Sequence, residues 1–170
     1  SGVGAAQLTS NWTDGGNPAG TRYVVVLSTG ASPETNGFAG NQSSTTANVA
    51  VTFTGLSANT TYYGAVRALN QAGTPTAYVS LSSTITVVAA PGAAAFSAVS
   101  GSQLTSNWTD NGNPAATTYV AVLSSGASPS SNGFAGNQSS TTLNLSATFS
   151  GLSWNATYYV EVKAVSAAGH

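Results

Sequence analysis

The sequence predicts an all-β chain made of two tandem β-sandwich domains, and three observations predict it. The first is a repeat. Gln7-Leu8-Thr9-Ser10-Asn11-Trp12-Thr13-Asp14 recurs as Gln103-Leu104-Thr105-Ser106-Asn107-Trp108-Thr109-Asp110, 96 residues on. The match runs without a gap from Ser1 and Ser97 to Gly73 and Gly169, with roughly two-thirds of the positions identical. That period is too long for a solenoid unit and suits an autonomous sandwich. The second is alternation of apolar and polar residues at period two, with no helical periodicity and no helix caps. The third is punctuation by turn residues: Gly15-Gly16-Asn17-Pro18, Asn36-Gly37, Gly55 and Ala72-Gly73.

Taken in order, Leu8, Ser10 and Trp12 share one face of a first strand. Tyr23, Val25 and Leu27 share a face of the next. Ala47, Val49, Val51 and Phe53 do so in a third, matched in copy two by Leu143, Leu145, Ala147 and Phe149. Tyr62, Gly64, Val66 and Ala68 make a fourth. The loop from Gly30 to Asn41, nearly repeated from Gly126 to Asn137, is expected to bridge the two sheets. Thr76 to Leu81 reads as the last strand of copy one, and Pro91 to Phe96 as the first strand of copy two. The domains are therefore placed at residues 1–88 and 89–170. Copy one begins inside the equivalent of Ser97 and lacks most of its first strand. Copy two stops before a counterpart of Thr76–Leu81. Two readings follow: a window from a longer repeat protein, or strand completion between subunits at an open edge.

The resemblance to a family rests on Leu56-Ser57-Ala58-Asn59-Thr60-Thr61-Tyr62, followed by Val66-Arg67-Ala68, with Val162-Lys163-Ala164 in copy two. This resembles the fibronectin type III stretch of Leu, Thr and Tyr before a V-x-A strand, and Trp12 and Trp108 stand where that family carries its second-strand Trp. The resemblance implies two immunoglobulin-like (fibronectin type III) β-sandwiches with incomplete terminal strands. It also implies that Tyr62 and Tyr158 are corner tyrosines bonded to backbone just upstream. The chain departs from the pattern at Ala58 and Trp154, where Pro is usual, at Ala156 for Thr, and at Ser10 and Ser106 for an aliphatic core residue.

Charged residues make up 4% of the chain and the net charge is −1. No basic field exists to hold nucleic acid or anionic lipid. Abundant Val, Thr, Tyr and Phe argue against disorder. With no Cys there is no disulfide or thiolate site, and no apolar run is long enough for a membrane-spanning helix. His170 is the sole His and sits at the terminus, so no catalytic triad or His-based metal site is available. Neither a catalytic residue nor a cofactor is expected. The acids are Asp14, Glu34, Asp110 and Glu161. Asp14 and Asp110 occupy equivalent turns, where a side-chain bond to the turn backbone is favoured over a weak Ca²⁺ site.

Two kinds of surface feature are candidates for interaction. If Tyr23, Val25 and Leu27 point inward, Val24 and Val26 point outward, beside Tyr63, Arg67 and Leu69. Copy two offers Val120, Val122, Tyr159, Lys163 and Val165. This apolar outer face fits a partner, unless the long loop folds over it. Phe38 and Phe134 are exposed anchors or satellites tucked under their own loops. Asn11, Asn41, Asn59, Asn107, Asn137, Asn144 and Asn155 head Asn-x-Ser/Thr sequons and are candidate glycosylation acceptors. The leading reading is a non-catalytic structural or adhesive repeat segment of a longer extracellular or cell-surface protein, assembling through sheet faces and open edges. Its partners would be neighbouring repeats, identical subunits, or a protein or glycan ligand. The alternative is a linker or accessory module of a secreted polysaccharide-degrading enzyme.

Overall fold

The computed structural model describes residues 2–35, 42–131 and 138–166, and these are strand and turn without a helix. They fall into two compact units, Ser1–Val87 and Val88–His170. Unit 1 contains β1 (Gln7–Asn11), β2 (Arg22–Ser28), β3 (Gln42–Thr46), β4 (Ala50–Thr54), β5 (Thr61–Leu69) and β6 (Val79–Ile85). Unit 2 contains β7 (Gly92–Ala93), β8 (Gln103–Thr109), β9 (Thr118–Ser124), β10 (Gln138–Thr142), β11 (Ser146–Ser150) and β12 (Tyr159–Val165). Sheet order is β1-β4 and β3-β2-β5-β6 in unit 1, and β11-β8-β7 and β10-β9-β12 in unit 2. Every pairing is antiparallel.

Each unit closes on its own apolar core. Leu8, Tyr23, Val25, Leu27, Phe53, Leu56, Tyr62 and Val66 form the first, and Leu104, Trp108, Tyr119, Ala121, Leu123, Ala147, Phe149 and Leu152 the second. The period-two residues of β2, β4 and β5 supply the inner faces, as alternation requires. Trp12 lies against Tyr23 with ring centroids 5.7 Å apart, and Trp108 against Tyr119 at 5.8 Å, both tilted.

The corner tyrosines are in place. Tyr62 Oη accepts the Ser57 N–H at 2.9 Å and Tyr158 Oη accepts the Ser153 N–H at 2.8 Å. In unit 1 the fully buried Thr86 adds a clamp: its hydroxyl accepts the Thr60 N–H at 3.0 Å and donates to the Ser57 carbonyl at 2.7 Å. Asn59 and Asn155 take left-handed φ values of 45° and 53° at these corners, a conformation Asn tolerates better than most residues.

Four expectations need correcting. The Gly30–Asn41 loop does not bridge sheets, because it joins β2 to β3, its neighbour in the same sheet. Gln42-Ser43-Ser44-Thr45-Thr46 is polar on both faces, so hydrophobic alternation does not reveal it. It is nonetheless held in register by β2, with Val24 opposite Thr45 and Val26 opposite Ser43. The third alternating run is strand only in its second half. The backbone turns at Asn48, whose N–H is accepted by Thr46 Oγ1 at 3.0 Å, and Asn144 repeats this with Thr142. Val49, Leu143 and Leu145 are exposed. Finally, the strand placed at Thr76–Leu81 begins at Val79, and of the Pro91–Phe96 strand only Gly92–Ala93 pairs continuously, followed by an isolated bridge from Ser97 to Thr105.

Candidate interaction face

Registers of the larger sheets bring the expected face residues together. Across β2 and β5, Val24 lies opposite Arg67, Val26 opposite Ala65, Arg22 opposite Leu69, and Ser28 opposite Tyr63. Across β9 and β12, Val120 lies opposite Lys163, Val122 opposite Glu161, Thr118 opposite Val165, and Ser124 opposite Tyr159. Both faces are rimmed on the other side by the Ser and Thr residues of β3 and β10.

In unit 1 that face is not an open apolar surface. Val26 is 1% exposed and Ala65 fully buried, so Val26 cannot serve as a contact residue. Val24, Tyr63, Arg67 and Leu69 are half-buried. The Arg67 guanidinium carbon sits 4.6 Å from the centroid of the Tyr78 ring, a cation–π contact. Its Nε is buried and finds no hydrogen-bond partner among the described residues.

In unit 2 the face is more open. Val120, Val122 and Val165 are half-buried, while Tyr159 and Lys163 are exposed. Val120, Val122, Ser130, Glu161 and Lys163 border a groove of ≈ 350 Å³. Here the loop after β9 lies over the strands, because the Ser130 N–H donates to Glu161 Oε2 at 2.8 Å. Pro129 of that loop and its counterpart Pro33 are both buried. The repeat carries the signal for this tie. Glu34 of the loop and Ala65 of the strand in copy one become Ser130 and Glu161 in copy two, so one carboxylate has moved from loop to strand.

A second paired exchange went unread. Ala5 and Ala58 in copy one are Gly101 and Trp154 in copy two. Ala58 is 6% exposed, whereas Trp154 is 80% exposed with its indole laid on Gly101. A Cβ at residue 101 would come within 2.5 Å of that ring. The departure from Pro at this corner therefore creates a surface aromatic in unit 2 alone.

The edges differ between units. β8 is flanked by β11 and β7, but β1 pairs in strand form with β4 alone. Residues before β1 fold back on it at a Val3–Leu8 bridge, with the Thr9 N–H donating to the Gly2 carbonyl at 2.9 Å. Val3, Leu8, Ser10, Leu27 and Leu81 line a cavity of ≈ 220 Å³ along that edge. Conversely β5 is covered by β6, while β12 has β9 on one side and no second neighbour among the described residues.

Asp14 and Asp110 are turn residues. Their Oδ1 atoms accept the N–H of Gly16 at 2.9 Å and of Gly112 at 3.0 Å, and their carbonyls accept Asn17 Nδ2 and Asn113 Nδ2 at 2.6 and 2.8 Å. Gly16 and Gly112 have φ of 79° and 85°, open to Gly without strain. Asn113 is buried and exchanges two 2.8 Å bonds with the backbone of Ala89, which anchors the start of unit 2. Among the described residues no three of His, Cys, Asp and Glu cluster as metal ligands.

Of the sequon residues, Asn11, Asn144 and Asn155 are exposed and Asn59 is half-buried. Asn107 is engaged, with Nδ2 donating to the Ala95 carbonyl at 2.7 Å and to Ser97 Oγ at 3.0 Å. A glycan there would break the tie that holds the start of unit 2 to β8. Asn41, Asn137, Phe38, Phe134 and His170 lie outside the described residues.

No family model and no curated protein matches this chain. Among solved structures it is similar to a two-domain fibronectin type III segment from chicken tenascin. The TM-score is 0.63 at 15% identity, over 97% of this chain and 87% of that one. It also aligns with the FN1–FN3 domains of chicken CNTN1, at 18% identity, 99% of this chain, 61% of that one and a TM-score of 0.39; that overlap is too loose to build on. With the corner tyrosines, the sheet orders and the Trp–Tyr core pairs, the first similarity shows the fold of both units to be fibronectin type III-like.

Proposed function

We propose that this chain is a non-catalytic structural or adhesive segment of a longer extracellular or cell-surface protein, with its units acting as repeated modules. One observation carries the reading: the residues that stay the same in both copies are the ones that build the sandwich. Asp14 and Asp110 close turns, Tyr62 and Tyr158 lock corners, and Trp12 and Trp108 pack tilted against tyrosines. Repetition of a shape favours spacing or assembly over chemistry, which needs a constellation of reactive groups in one place. The low charge and the Ser/Thr-rich outer strands suit a module stacked among its own kind.

An antibody raised against the chain tests this on cells of the producing organism. Labelling of intact cells, lost on brief protease treatment of the surface, is the expected result. Labelling that appears only after lysis overturns the surface assignment. Recovery of the native protein joined to a polysaccharide-degrading catalytic domain would favour the accessory-module reading instead.

A further inference from the structure

We propose that Trp154, seated on Gly101, is a stacking platform for a neutral polysaccharide built of all-equatorial pyranose rings, such as those of cellulose or chitin. The inference deepens the adhesive reading above by naming a ligand class for one surface, and it rests on that reading only for its biological setting.

Trp154 lies flat against backbone. A Cβ built on Gly101 would lie 2.5, 2.6 and 2.8 Å from Cε3, Cζ3 and Cδ2 of the indole. Three adjacent ring atoms at nearly equal distance mean that the glycine meets the face of the six-membered ring. An approach to the edge would bring one atom close and leave its neighbours farther off. One face of the indole is therefore backed by Gly101, and with Trp154 80% exposed the opposite face meets solvent. The segments that build this seat, 99–103 and 152–155, are fixed by bonds between described residues. The Leu152 N–H donates to the Ser102 carbonyl at 3.0 Å, and the Ser100 N–H to the Gln103 carbonyl at 2.9 Å. Copy one has Ala5 and a buried Ala58 at these places, so glycine and tryptophan occur together in unit 2 alone. An exposed indole forgoes the burial that a large aromatic ordinarily gains, and the glycine beneath it keeps the ring flat with one face free.

The surroundings select the ligand. Ser100, Ser102, Gln103, Ser153 and Asn155 flank Gly101 and Trp154 along the chain, and all are exposed. They offer hydroxyls and amides, which both donate and accept. The Asp, Glu, Lys and Arg residues of unit 2 are Asp110, Glu161 and Lys163. Asp110 follows the far end of β8 from Gln103, and the other two lie on β12 in the other sheet. An uncharged polar rim around a flat π-face offers nothing to a phosphate and fits a neutral sugar. The C–H groups on the face of an all-equatorial pyranose carry the slight positive charge that an aromatic face attracts. The equatorial hydroxyls project sideways to hydroxyl and amide partners. A protein partner fits less well. Val99 is the only other exposed large hydrophobic residue in these two segments, and two side chains fall far short of the roughly 800 Å² per partner that a standard interface covers.

Titration of the isotope-labelled chain with cellohexaose and with chitohexaose, followed by NMR at the indole N–H signals, tests the proposal. The chain has three Trp, so three indole signals report separately. The expected result is a saturable shift of the Trp154 signal with at least one of the two sugars, at a dissociation constant of about 1 mM, as one stacked ring allows. The signals of Trp108, 4% exposed, and of half-buried Trp12 should stay in place. Trp154→Ala should weaken binding about tenfold or more, read from the backbone amides of residues 99–103. Trp154→Tyr should retain most of it, because a π-face remains. Gly101→Val should weaken it as well, because the new side chain displaces the ring from its seat. Circular dichroism of each variant confirms a folded chain. No shift with either sugar up to about 10 mM overturns the proposal. So does binding indifferent to Trp154→Ala. A Trp154 signal that moves with chain concentration in the absence of sugar assigns the platform to a second copy and overturns it too. Any of these leaves the surface-module reading standing, and absence from the cell surface overturns that reading without touching this one.

Discussion

Tyr62 and Tyr158 show how much of each unit is decided by single hydrogen bonds. Both hydroxyls accept a backbone N–H five residues upstream, but their surroundings differ. Ser57 is tied twice, by Tyr62 through its N–H and by the buried Thr86 through its carbonyl. The Ser153 bond is exposed, so water can replace Tyr158 when it is lost. Tyr62→Phe is therefore expected to destabilise unit 1 by about 1 kcal/mol, and Tyr158→Phe to cost unit 2 less than about 0.5 kcal/mol. Urea midpoints of the two variants measure this, and equal costs would argue against the clamp. Asn107 makes the same point: it reads as a sequon in sequence but works as a bracket for Ala95 and Ser97.

At the level of the element, burial separates two valines that alternation treats alike. Val24 and Val26 project from the same face of β2, yet Val26 is sealed beside Ala65 and Val24 is half-buried opposite Arg67. Val24→Lys should be tolerated within about 1 kcal/mol, the range of modest surface changes. Val26→Lys should cost about 3 kcal/mol or more, because it buries an unpaired ammonium. Thermal melts followed by circular dichroism distinguish them; comparable midpoints would show that the face of unit 1 is open after all. The period-two pattern was enough to place β1, β2, β4, β5 and their copies. It missed β3 and β10 because Gln-Ser-Ser-Thr-Thr has no apolar face, and overran at Ala47–Val49 because apolar residues continue through a turn.

For the whole molecule, the decisive feature is that the two cores share no residue. Leu27→Ala is expected to cost unit 1 about 2–4 kcal/mol through the cavity it leaves. Amide hydrogen exchange should then speed up across β1 to β6 while β8 to β12 keep their protection. Loss of protection in both units would mean that they fold as one. Divergence between the copies reaches the cores at small side chains, where Val25 becomes Ala121 and Val51 becomes Ala147, while the core leucines, tyrosines and phenylalanine keep their places. The Glu34/Ala65 to Ser130/Glu161 exchange, the Ala5/Ala58 to Gly101/Trp154 exchange and the Gly64 to Val160 change alter a loop tie, a corner and an edge. Unit 2 thus keeps the frame of unit 1 and departs from it at a loop tie, at a corner and at small core side chains.

By itself the sequence determined the fold class, the two-copy organisation and the inward residues of most strands, because these depend on local periodicity and on direct repetition. Corner tyrosines and Asp turns belong to the same category, since their bonds reach only two to five residues along the chain. Which outward residues are available was settled only by the tertiary structure. Exposure of Val26 depends on what the chain lays over it, and the role of Glu161 depends on a loop 31 residues away. Alternation says which side of a sheet a residue faces, whereas only the packing of distant segments says whether that side meets water.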